Sequence, residues 1–101
     1  MPVIKDMLKE ELNRLERMEK AYQQKISQLP KGSIVMKKIA GKMYPYRAFR
    51  KGAQVKSEYL KVSQEELEQL KIQINQRRKY EDALKSIKED SKFIKVALKK
   101  S

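Results

Sequence analysis

Residues 33–61 read SIVMKKIAGKMYPYRAFRKGAQVKSEYLK, and the way this stretch divides decides the fold. SIVMKKIA is short and β-branched, MYPYRAFR is aromatic and alternating, and QVKSEYLK alternates again. Gly41-Lys42 and Lys51-Gly52-Ala53 separate the three runs, so the spacing predicts a three-stranded antiparallel meander with tight turns. Pro45 cannot donate to a ladder, which predicts a bulge, an edge position, or a strand that begins only after it. Strand alternation sorts the side chains into two faces. Tyr44, Tyr46, Ala48, Val55, Ser57 and Tyr59 form the first, the more continuous apolar surface, expected to pack on helices. Met43, Pro45, Arg47, Phe49, Lys56, Glu58 and Leu60 form the second. Joined by Lys37, Lys42, Arg50 and Lys51, it is expected to present cations to solvent.

Long charged segments flank the meander. In residues 3–29, Ile4, Leu8, Leu12, Leu15, Met18, Tyr22, Ile26 and Leu29 recur at three- and four-residue steps, the mark of an amphipathic helix. Leu8, Leu15, Tyr22 and Leu29 also keep a seven-residue spacing, which suggests a coiled-coil-like seam. Pro30 and Gly32 end it. A second helix is expected over 63–89, opened by a capping box from Ser63 to Glu66. Leu67, Leu70, Ile74, Tyr80, Leu84 and Ile87 make its stripe. Beyond it, either the helix runs on to about residue 99 or Asp90-Ser91 caps a short third helix over 91–99. Asp and Ser favour caps over helix interiors, so the break is the preferred reading. Each long helix would span about 40 Å. Matched lengths predict an α+β single domain over 1–101: an antiparallel helical hairpin with the small sheet between its helices.

Charge is unevenly spread. Of the net +12, residues 31–61 hold nine basic residues against a single acid, Glu58, a net of +8. Self-repulsion makes such clustering costly unless a polyanion or an acidic partner offsets it. The segment also holds four of the seven aromatic residues, Tyr44, Tyr46, Phe49 and Tyr59. A second basic cluster, Arg77-Arg78-Lys79, lies along the second helix. There Arg77 is expected to lay its stem along the seam or to pair with Glu11, Glu16 or Glu19, ahead of clamping a phosphate.

Catalysis is poorly supplied. The chain has no His and no Cys, which removes the usual general base and nucleophile and the commonest zinc ligands. Its carboxylates fall in helical charge patterns, with pairs expected at Asp6–Glu10–Arg14 and Glu81–Lys85. No phosphate-binding glycine loop is present. The expectation is a non-enzyme with no cofactor and no metal. Residues 1–12 are acidic and amphipathic, unlike a signal peptide, and no window has the apolar length of a membrane span. A cytoplasmic chain without membrane contact is expected.

The stretch LPKGSIVMKKIAGKMYPYRAFRKGAQVKSEYLK, residues 29–61, resembles an uncharacterised family of small proteins from bacteria and their mobile elements. Its pattern is a helix, a Lys-Gly-Ser start, a tyrosine-rich strand, a basic glycine turn, a Val-Lys-Ser-x-Tyr strand and a second charged helix. The same segment is similar to the amino-terminal arm-binding domain of phage tyrosine recombinases. That resemblance implies a three-stranded sheet that binds DNA in the major groove, with Tyr46, Arg47, Arg50, Lys51 and Lys56 at positions facing DNA or its phosphates.

The functional expectation is a nucleic-acid-binding accessory protein of a phage or mobile element. Its contacts would be Lys37, Lys42, Tyr46, Arg47, Arg50, Lys51 and Lys56, with Arg77, Arg78 and Lys79 as a secondary cluster. The alternative is a protein-interaction module, such as a small inhibitor or adaptor that binds an acidic surface on a nucleic-acid-handling enzyme. Apolar residues near both ends suggest a homodimer through the helices.

Overall fold

The computed structural model describes residues 2–100, with side chains from Val3 onward. Two helices flank one antiparallel sheet: α1 (Pro2–Ser27), β1 (Ser33–Ile39), β2 (Lys42–Lys51), β3 (Gln54–Tyr59) and α2 (Gln64–Lys99). This is the expected α+β arrangement. The chain divides into two compact units, one made of α1 with α2 from Arg78 onward, the other running from Leu29 to Arg77.

In the helical unit, Leu15, Ile87 and Ile94 are buried, with Leu8, Leu12, Met18, Tyr22 and Leu98 packed against them. The heptad positions Leu8, Leu15 and Tyr22 therefore form the seam that their spacing predicts. Tyr22 meets Tyr80 with ring centroids 5.5 Å apart. The Lys25 ammonium lies 5.6 Å and 5.4 Å from those two rings, a cation–π arrangement. Arg14 pairs with Glu11, the residue next to the Glu10 expected of it: Nε donates to Oε2 at 3.0 Å and Nη2 to Oε1. These hydrogen bonds hold the Glu11 carboxyl below its ordinary range. Both side chains are well exposed, so the pair adds little to stability.

The preferred break at Asp90-Ser91 does not occur. α2 is continuous, and Ser91 is itself buried, between Ile87 and Ile94 on the stripe that Leu98 continues. Packing of that face outweighs the local preference of Asp and Ser for a cap, as tertiary context commonly does. The cost is visible, since the Ser91 hydroxyl is buried without a hydrogen-bond partner. The other end of α2 follows local chemistry: the Glu66 amide donates to Ser63 Oγ at 3.1 Å, and that hydroxyl donates to Glu66 Oε1 at 3.2 Å.

The sheet has the order β1-β2-β3. Pairing of β1 with β2 runs unbroken from Ser33↔Ala48 to Ile39↔Lys42, and of β2 with β3 from Tyr46↔Tyr59 to Lys51↔Gln54. Pro45 thus sits inside the central strand without a bulge, opposite Met36. Its carbonyl accepts from the Leu60 amide at 3.0 Å. In an antiparallel pair the two groups of one residue point to the same side. The donor that Pro45 lacks would therefore face Leu60, one rung beyond the end of β3. The proline ends β3 and spares the β1 ladder.

Ala40 and Gly41 form the first turn, both with positive φ (52° and 83°), as a type I′ hairpin requires. The expected break at Gly41-Lys42 is thus displaced by one residue. Ala carries a steric penalty in this region that Asn bears more easily. Ala40→Asn is expected to stabilise the protein by about 0.5–1 kcal/mol, read as a higher denaturation midpoint at unchanged m-value.

Candidate functional site

The register assigns every cation of the meander to a face. Cross-strand partners share a face. Tyr44 and Tyr46 therefore stand with Lys37, Val35 and Ser33 of β1, with Tyr59, Ser57 and Val55 of β3, and with Lys42, Ala48 and Arg50 of β2. The opposite face carries Ile34, Met36, Lys38, Met43, Pro45, Arg47, Phe49, Lys51, Gln54, Lys56 and Glu58. The division of β2 and β3 matches the expected one. The grouping of Lys37, Lys42 and Arg50 with Arg47 does not: Lys42 and Arg50 stand at even spacing from Tyr44 on β2, and Lys37 pairs with Tyr44.

The tyrosine face is also not packed away. None of its residues is buried, and Val35, Lys37, Lys42, Arg50, Val55, Ser57 and Tyr59 are all exposed. Tyr59, half exposed at 50%, lies against the rings of Tyr44 and Tyr46, at centroid distances of 6.1 Å and 5.5 Å. Lys37 places its ammonium 4.3 Å from the centre of the Tyr46 ring and donates to Ser57 Oγ at 3.3 Å. This face bears no carboxylate. Its aromatic cluster is bracketed by Lys42 and Arg50 on β2, about 26 Å apart at about 3.3 Å per residue.

On the opposite face Arg47 is already engaged. Its Nη2 donates to Glu58 Oε1 at 3.1 Å, Nη1 reaches the Lys31 carbonyl at 3.4 Å, and the guanidinium lies 4.7 Å from the centre of the Phe49 ring. The side chain is only 23% exposed. Arg47 therefore helps hold the sheet, and it consumes the segment's single acid. The other cations of residues 31–61 have no carboxylate partner among the described residues. Lys51 and Lys56 stand exposed on this face, with Lys38, which the sequence reading passed over.

Arg77 does not stand open to solvent. Its Nη1 donates to the Leu29 carbonyl at 2.6 Å, part-buried. Arg78 and Lys79 are exposed. Tyr44 and Tyr59 are the aromatic members of the site that the sequence reading assigned to packing alone. The signal for them was present in the flanking Lys42 and Arg50, which sit at even spacing from Tyr44 on one strand.

A family model described as a domain of unknown function, DUF6788, matches residues 8–69, more than half of the chain. The chain belongs to this family. The DUF6788 match takes in all three strands, the Arg47–Glu58 pair, both turns and the Ser63 cap, so the whole cationic sheet lies within the family's extent. No curated protein and no solved structure matches the chain. Among the described residues no helix is long and apolar enough to cross a membrane.

Proposed function

We propose that this protein binds nucleic acid through its three-stranded sheet, as a non-enzymatic accessory protein. One observation carries the reading: a ten-residue central strand and its two neighbours hold nine cations with the linkers beside them, and their only acid is spent on Arg47. Surfaces shaped for solubility alone mix signs, whereas a polyphosphate offsets repulsion of this kind and releases its counterions. The likeness to the arm-binding domains of phage tyrosine recombinases supports the same reading and a mobile-element origin.

The test is binding to duplex and single-stranded oligonucleotides across a salt series. With about five phosphate contacts, log affinity should fall against log salt with a slope of about −4 to −5 on duplex and somewhat less on single strands. Lys51→Glu with Lys56→Glu should reduce that slope by about 2 and weaken all sequences alike. No binding at low salt sinks the reading. Recovery of one stoichiometric protein partner, insensitive to nuclease, would instead establish the interaction module that binds an acidic protein surface.

A further inference from the structure

We infer that the tyrosine face takes single-stranded nucleic acid, stacking an unpaired base on Tyr59 while Lys37, Lys42 and Arg50 hold the flanking phosphates; this rests on the nucleic-acid reading above. Tyr59 lies on β3, an edge strand, and keeps half of its surface in solvent although two other rings lie against it. Those contacts, edge-on to Tyr44 and tilted to Tyr46, fix the ring at little further entropic cost when a base arrives. Tyr46 already carries the Lys37 ammonium over its ring, which leaves Tyr59 as the open aromatic surface of the cluster.

The charge on this face is one-sided. Lys42 and Arg50 bracket the rings, neither has a partner among the described residues, and no carboxylate shares the face. An acidic peptide would also satisfy these cations, but it covers the half-exposed ring only where an aromatic or apolar side chain falls opposite it, whereas every nucleotide brings a π-face. A duplex would satisfy the cations too, yet its bases are stacked on one another and their faces cannot reach Tyr59. A strand with unpaired bases uses cations and ring together at every nucleotide, the combination by which sequence-tolerant single-strand binders work.

The chain has five tyrosines and no tryptophan, so its own emission reports on the rings. Oligo(dT) and oligo(U) should quench that emission on binding. An abasic strand of equal length keeps the phosphates and loses the bases. It should bind about tenfold more weakly and leave the emission unchanged. Tyr59→Ala should weaken oligo(dT) binding about tenfold with little change on duplex, and Tyr59→Phe should restore it. The abasic comparison uses the unaltered protein and stands even if Tyr59→Ala perturbs the sheet. Equal affinity for abasic and dT strands, or equal loss on duplex and single strand, overturns the inference. Duplex binding with the expected salt slope would then leave the broader reading intact. Failure to bind any polynucleotide overturns both.

Discussion

Gly32→Ala should destabilise the sheet unit on the order of 3–4 kcal/mol, enough to unfold much of it in a domain of this size. Gly32 precedes β1 with φ at +110°, a region that L side chains rarely adopt. A Cβ there would stand 2.3 Å from the Ala48 carbonyl oxygen and 3.1 Å from Phe49 Cβ. The nearer obstacle is backbone of the central strand, held on its other side by β3, so it has no cheap way to give. Gly41→Ala serves as the comparison, since its φ is +83° but no atom lies within 4 Å of the added carbon. That substitution should cost about 1 kcal/mol. Urea titration followed by tyrosine emission measures both. A Gly32→Ala midpoint equal to that of Gly41→Ala would mean that close approach to Ala48 does not fix where the chain joins the sheet.

Gly32 also shows which features the sequence made legible. Lys31-Gly32 reads locally as a helix stop, and that part of its role is plain. Its contact with Ala48 depends on β1 pairing with β2 in one register, which no local pattern specifies. The same division runs through the site. Alternation within β2 and β3 separates tyrosines from Arg47 and Lys56 correctly, because both strands carry strong period-2 patterns. SIVMKKI carries almost none, so only pairing places Lys37: opposite Tyr44 across the Ala40-Gly41 turn, and opposite Tyr46 had the turn been Gly41-Lys42, the tyrosine face in either case. Which face stays open is a further step removed. Apolar content pointed to the tyrosines as the packed side, yet aromatic rings on a small sheet can cover one another, as Tyr44, Tyr46 and Tyr59 do. The Arg47–Glu58 pair is a third case: the count of nine cations to one acid is plain in the sequence, but which cation the acid meets is supplied by the β2–β3 register.

Arg77→Met should destabilise the protein by about 2 kcal/mol, the second-largest loss expected of a single side chain here. Arg77 donates to the Leu29 carbonyl at 2.6 Å from a part-buried position. Leu29 lies just past the end of α1, where carbonyls lose their intrahelical donors. Met keeps a stem of similar length and apolar character. The loss would therefore measure the unpaired carbonyl and the missing charged donor, apart from packing. Arg77→Lys should recover only part of it, because a single ammonium cannot reproduce the planar fork. If Arg77 were instead a phosphate contact, Arg77→Met would leave the denaturation midpoint unchanged and lower the salt slope of nucleic-acid binding by about 1. Each role thus moves one of the two readouts and leaves the other unchanged. A lower midpoint with an unaltered slope assigns Arg77 to the fold and leaves Arg78 and Lys79 as the cations of that cluster to test for binding.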